Sequence, residues 1–526
     1  MGILKIWILG FLIILNANAS VLRIGVPMSP ESLFFPIAND DVSDLISQLV
    51  VEPLLKLDQK TNLASPVLAK SWKQEPRKIT VYLNPSAKFA EGNTVTSQDV
   101  LETFTAFRKK LIPSPTFEAQ FGDISEIKIQ NPSTFEIHYA QPSSDHLNRL
   151  SNFYILSKAA LTQIAKYKNF ALNLTGSGPY QIDKVSPGKE IRLLKRENYW
   201  NNREALNINL YRIEKIHLVI LPDGSSQIEM LKRGDIDYLN ILSSKSWNKD
   251  LEGELFATKK ISKLEFPSKQ NYQVVGIVWN LRLPLFQSRN VREALAKLYP
   301  VKRYIKDFFY NSYLPSTGIF HSRSECHSPK NPGVEFSVSD AEKLLKQDGW
   351  VRAGDGLLYK NKIPFKFNLI VRQAASLRHL ALYQEILKQA GIQMNFLTLD
   401  WVSALNKVRA YDFEASEYSM DRPTNLSDLS YLWASEGRLN YSGLSDKKVD
   451  DLILKIKTEF NQKKRVELCQ SLDERIANLY PLAFGWDQAF LRLAYWNRFD
   501  VSQEPVFAYS TWRNAFHHWA EKKPLP

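Results

Sequence analysis

Cysteine is nearly absent: two residues, Cys326 and Cys469, in a chain of 526. Neither sits in a CxxC motif, so a paired-cysteine redox or zinc site is not indicated. Their separation of 143 residues says nothing about proximity, and a disulfide and two separate thiols both stay open. Catalytic signatures are missing as well. There is no G-x-S-x-G, no Walker loop, no G-x-G-x-x-G and no H-E-x-x-H. Carboxylates are plentiful, but no pair stands out as acid and base, so no catalytic residue is assigned and weight moves from catalysis toward binding. The densest ligand-like set is His321, Glu325, Cys326 and His327, and its spacing matches no known metal site. His517-His518 is equally unspecific. No metal and no cofactor is expected. Internal repeats, low-complexity tracts and a second long apolar run are also lacking.

The most informative stretch is the start. Lys5 precedes a ten-residue apolar run at 6–15 (IWILGFLIIL), and Ala17-Asn18-Ala19 follows. That order is a secretory signal peptide cut after Ala19, leaving Ser20 as the new N-terminus. An uncleaved anchor would need roughly twenty apolar residues. No Cys follows the cut, so a lipid anchor is not indicated. The mature protein is expected to be exported and to work outside the cytoplasm. Export also bears on the formal charge of +13. Basicity of this size often marks nucleic-acid binding, but an exported chain whose basic residues are scattered, with no run denser than Lys463-Lys464-Arg465, fits a solvated basic surface instead. Such a surface tolerates an anionic membrane or cell wall, and no nucleic-acid partner is expected.

Strand and helix signals alternate along the chain, the pattern of an α/β protein. At roughly 150 residues per domain, the length suggests about three domains, or two lobes with one subdivided. Residues 21–26 read as a first strand. Ile79, Val81 and Leu83 alternate with polar neighbours. Thr96 and Asp99 form a capping box ahead of Val100, Phe104 and Phe107. Ile216, Leu218 and Ile220 alternate up to a turn at Pro222-Asp223-Gly224. Later, residues 290–293 open a helix, and Ser339 and Glu342 suggest another capping box for a helix stopping at Gly349. Phe365, Phe367, Leu369 and Val371 mark a strand. A helix over 382–389 stops at Gly391, and a strand with Ile392, Met394 and Phe396 follows. Val449, Leu452, Ile453 and Ile456 share one helical face. Residues 317–338 have no periodicity and read as a surface excursion.

Several of these segments carry a family likeness. Val51-Glu52-Pro53-Leu54-Leu55 with Asp58 comes first, then Leu68-Ala69-Lys70-Ser71-Trp72. Lys88-Phe89-Ala90-Glu91-Gly92 leads to Asp99-Val100. Gly176-Ser177-Gly178-Pro179-Tyr180 is followed by Asn198-Tyr199-Trp200. Residues 231–237 (LKRGDID), 280–292 (NLRLPLFQSRNVR), 440–444 (NYSGL) and 449–452 (VDDL) complete the series. Their order and content resemble the extracellular solute-binding proteins of oligopeptide, dipeptide and nickel ABC transporters, the family 5 type. The colinear series spans about residues 21–490. The chain departs from the pattern at 299–303 (YPVKR) and at Glu91, as a diverged branch would.

The resemblance implies a two-lobed, periplasmic-binding-protein-like α/β fold of class II, with a hinge between the lobes. It puts 20–275 plus 480–526 in lobe one, with an extra subdomain at 46–170, and 276–479 in lobe two. It implies a monomer that encloses a peptide in the interlobe cleft and delivers it to inner-membrane ABC permease subunits. It also implies no catalysis. Asp421, before Arg422-Pro423, occupies the place of the carboxylate that receives the peptide's ammonium; the same residue also suits a turn cap. Arg372 is the candidate for the peptide's carboxylate, with a surface arginine as the alternative. Gly178 and Tyr180 are expected near the cleft floor or hinge, and Asn280 at the start of lobe two. Alternatives are a non-peptide ligand on the same fold (a nickel complex, a glycan fragment or an opine), or an envelope enzyme or chaperone.

Overall fold

The computed structural model describes residues 20–522, except 35, 39, 168–173, 202–209, 270–272, 332, 373–375, 421–425, 489 and 502–507. The leader expected at 1–19 and the candidate Asp421 therefore lie outside the described residues. Among the described residues, no helix is long and apolar enough to cross a membrane.

Two sheets organise the chain into two lobes, and both are built on parallel strands. In the first lobe, Val21–Val26 runs parallel to Lys215–Ile220 on one side and to Tyr238–Asn240 on the other. The complete order is Ile261–Pro267, Phe490–Trp496, Tyr238–Asn240, Val21–Val26, Lys215–Ile220, Glu190–Lys195 and Tyr180–Ser186. Leu22, Ile24, Val26, Ile216 and Leu218 are buried in its core, as the alternating pattern requires. A separate four-stranded antiparallel sheet, with Lys78–Leu83 and Thr134–Tyr139 at its centre, carries the buried Ile79 and Val81. Helix Ser97–Arg108 packs on it behind the expected box: the Thr96 amide and hydroxyl both donate to the Asp99 carboxylate, at 2.8 and 2.7 Å.

The second lobe has the order Gln393–Thr398, Lys366–Val371, Ala415–Met420, Val274–Trp279 and Leu482–Phe484. Lys366–Val371 is parallel to both its neighbours. One core holds Trp279, Phe367 and Leu369 against Leu380, Tyr383 and Leu387 of helix Leu377–Gln389. On the other side, Val278 and Ile370 belong to a core with Ile453 and Ile456 of helix Lys447–Thr458 and with Leu472 and Ile476 of helix Gln462–Leu479.

Three expectations need correction. Asp223 ends no turn; its carboxylate accepts the Ser226 amide at 2.8 Å and caps helix Gly224–Arg233. The helix expected to be capped at Ser339 starts earlier, at Val338, because the extended Ser337 receives the Asp340 amide on its hydroxyl at 3.2 Å. The 317–338 segment is irregular but is no surface excursion, since Ile319, Phe320, His321 and Ser328 are buried. Cys326 and Cys469 are joined in a disulfide, with Cα atoms 5.1 Å apart, which anchors that segment to helix Gln462–Leu479.

Candidate functional site: the cleft at the crossing segments

Strand register locates the cleft. The chain leaves the first sheet at Pro267 and enters the second at Val274; it leaves the second at Phe484 and re-enters the first at Phe490. Pro267 pairs with Phe490, and Asn240 pairs with Leu493, so the carboxyl ends of the first sheet's parallel strands point toward the crossings. In the second sheet, Val274 pairs with Met420, the carboxyl end of its strand, and Gly276 pairs with Phe484. The carboxyl ends of the second sheet's parallel strands therefore also point toward the crossings. Open α/β sheets bind ligands outside those carboxyl ends, and here two such edges meet above one floor.

Four large apolar side chains at these edges are exposed. Met28 follows Val21–Val26 and is 43% exposed, and Leu242 follows Tyr238–Asn240 at 58%. Across from them, Asp400 caps the next helix by accepting the Val402 and Ser403 amides. That cap presents Trp401 at 52% and Val402 at 64% exposure. Exposed apolar groups beside such an edge are surface that a ligand can cover.

Arg372 lies at the second edge, directly after Lys366–Val371. Its guanidinium lies over the Trp401 ring, 4.7 Å from the centroid, and its amide donates to the Glu417 carboxylate at 2.8 Å. Burial pulls the Arg372 pKa down from the ordinary guanidinium value, while the Glu417 carboxylate opposes the shift. The group remains a cation, stacked on an indole and half-buried, a setting in which a charge-assisted bond to a carboxylate is strengthened. Strand Ala415–Met420, which leads to Asp421, ends at this same edge.

The other sequence candidates hold backbone. The Gly178 amide donates to Val50 O at 3.0 Å, and its carbonyl accepts Arg196 Nη1 at 2.8 Å. A Cβ there would stand 2.5 Å from Leu49 O, so only glycine lets this turn close on the end of helix Asp41–Val50. The Tyr180 hydroxyl donates to Ile213 O at 2.7 Å inside the first lobe. The Asn280 side-chain amide donates to Tyr411 O and Phe413 O, at 3.0 and 2.9 Å. Since Trp279 pairs with Ala415, Asn280 falls at the opposite end of the sheet from Arg372. The structure thus brings none of these three next to Arg372.

The floor is aromatic. Trp486, in the second crossing, lies 4.6 Å from Phe309 and 5.6 Å from His379, ring centre to ring centre. Burial pushes the His379 pKa down to about 4, so this imidazole is neutral at ordinary pH. Sequence reasoning missed Trp401, Glu417 and this floor. A lone Trp after a strand was the one available signal for Trp401, and no periodic pattern reports a loop. Contacts between the lobes among the described residues include three places. Ser144 donates its amide and hydroxyl to Lys457 O, at 2.9 and 3.2 Å. The Tyr431 hydroxyl donates to Ala119 O at 3.5 Å. Elsewhere, Asn248 donates to the Ser312 hydroxyl at 2.8 Å and the Tyr313 hydroxyl donates to Leu242 O at 3.2 Å.

Comparison with known proteins agrees with this architecture. The profile of bacterial extracellular solute-binding proteins, family 5, middle region, matches residues 64–440. The chain belongs to that family. This family 5 protein is 23% identical over 469 residues to the uncharacterized protein YejA of Escherichia coli K12, covering 82% of this chain and 77% of YejA. It is 23% identical over 488 residues to the oligopeptide-binding protein AppA of Bacillus subtilis, covering 88% of this chain and 84% of AppA. AppA solved with a nonapeptide superposes on the family 5 protein with a TM-score of 0.74 at 20% identity, covering 96% of this chain and 99% of AppA. NikZ of Campylobacter jejuni, solved with Ni(L-His), gives 0.77 at 19% identity, covering 95% of this chain and 99% of NikZ. These likenesses establish the fold, and the profile establishes a solute-binding protein of the kind that serves ABC importers.

Proposed function

We propose that this family 5 solute-binding protein works in the periplasm, captures peptides between its lobes and delivers them to the inner-membrane permease of an ABC importer. The observation that carries the reading is the meeting of both carboxyl edges above the crossing segments, with Arg372 stacked on Trp401 at the rim. A peptide fits this surface because it offers an apolar and aromatic body to Trp401, Val402 and Leu242 and a terminal carboxylate to Arg372. Asp421 follows the strand that ends at the same edge and is the proposed partner of the peptide's ammonium. AppA, similar over most of its length, is named for oligopeptide binding. The protein acts by enclosure rather than by catalysis. The proposed division is lobe one at 20–275 plus 480–526, with a subdomain at 46–170, and lobe two at 276–479. Strands Val274–Trp279 and Leu482–Phe484 pair into the second sheet, so that sheet runs a few residues past both ends of 276–479.

Mass spectrometry of small molecules released from protein purified from its native cell and then denatured tests the reading. Peptides are expected. A single non-peptide compound at stoichiometric yield would overturn the peptide assignment and leave the family intact.

A further inference from the structure

Helix Gln462–Leu479 carries Cys469 and Asp473 four residues apart, one turn along the same face. Both grip the irregular 317–331 segment. Cys469 is bonded to Cys326. The fully buried Asp473 accepts the Ile319 amide at 2.7 Å, the Ser328 amide at 2.9 Å and the Asn331 side-chain amide at 2.8 Å. His327 Nδ1 stands 3.1 Å from the same carboxylate. Gly318 is packed so closely that a Cβ there would meet Asp473 Oδ1 at 2.3 Å.

The near end of the segment is fastened to the second crossing. Leu314 pairs with Asp487 and Pro315 with Trp486. The Ser316 amide donates to Gly485 O at 3.0 Å. The Ser322 amide donates to the buried Asp487 carboxylate at 3.4 Å, and the Arg323 guanidinium lies 4.9 Å from the Phe490 ring centre. The chain of contacts therefore runs from a helix of the second lobe, through a disulfide and a buried carboxylate, to one of the two segments that join the lobes.

We propose that Cys326–Cys469 and Asp473 form a strut that holds the second crossing segment, so that the disulfide sets the lobe-opening equilibrium as well as the stability of the fold. The inference rests on the two-lobed fold alone and does not depend on what the cleft binds.

The test uses the full unliganded chain and compares wild type with the C326S/C469S double variant. Amide hydrogen exchange in 485–488 should quicken by about tenfold or more, together with 314–323, while the core of helix Gln462–Leu479 stays protected. The radius of gyration from small-angle scattering should change in the same samples. Wild type treated with dithiothreitol is a parallel arm that requires no variant to fold. There two thiols form, and the reagent takes up the oxidation as its cyclic disulfide; the same pattern is expected. D473N, with the disulfide intact, should reproduce it in part. Faster exchange confined to 317–331, with 485–488 and the radius unchanged, would overturn the proposal and leave the disulfide as a local staple.

Discussion

At the scale of single residues, Arg372 and Asp421 are the proposed ends of the ligand site. A charge-assisted hydrogen bond contributes about 1.5–3 kcal/mol, which corresponds to roughly ten- to a hundredfold in affinity. Arg372→Gln should weaken a free-carboxylate peptide by about that factor and barely affect its C-terminal amide. Asp421→Asn should do the same for a free-amine peptide and spare its N-acetyl form. Calorimetric titration of the four peptides separates the two roles, and equal losses across each pair would make the residue structural. Glu52 is a different kind of residue. It is buried, accepts from the Tyr199 hydroxyl at 2.6 Å and from Trp200 Nε1 at 2.7 Å, and burial nevertheless lifts its pKa to about 7 from 4.5. The folded state thus holds its proton more tightly than the unfolded chain does. Its contribution is full below pH 4.5 and is lost as pH rises through about 7, a change of about 3 kcal/mol. Buried His517, whose pKa is pushed down to about 3, works in the opposite direction. The difference between wild type and Glu52→Gln therefore isolates Glu52. Urea unfolding across pH 4.5–7 should show wild type losing stability relative to the variant, and parallel profiles would contradict this account.

At the scale of elements, what the sequence made legible was whatever its neighbours encode. The strand at Val21–Val26, the Thr96–Asp99 box and the helix face of Val449, Leu452, Ile453 and Ile456 all depend on side chains a few residues apart, and they stand where periodicity places them. The displaced caps at Ser337 and Asp223 show the limit of local reading, since adjacent Ser and Asp residues compete for one helix start and only backbone geometry decides between them. The 317–338 segment was illegible for another reason. Its order comes from Asp473 and Cys469, more than a hundred residues away, and no window of sequence contains both partners. Asp473→Ala should be severe for that reason. It leaves the Ile319, Ser328 and Asn331 donors buried without an acceptor, at about 3 kcal/mol or more in urea unfolding. A loss within about 0.5 kcal/mol, the range of an ordinary surface substitution, would show that the segment holds its place without the carboxylate.

At the scale of the whole molecule, two lobes were legible through the family likeness of scattered motifs such as Gly176–Tyr180 and 231–237, not through periodicity. The site itself was only half legible. Arg372 could be singled out as a cation ending a strand, but its stacking on Trp401 and the Trp486–Phe309–His379 floor arise from pairings between distant segments. The central claim is that the two carboxyl edges close on a peptide about the connections that follow Pro267 and Phe484. Small-angle scattering of the protein, stripped of ligand and then mixed with a peptide pool, tests this most directly. The account predicts that the radius of gyration falls on adding peptides and returns when they are removed. A radius that stays constant while peptides demonstrably bind would contradict closure of these two edges as the means of capture.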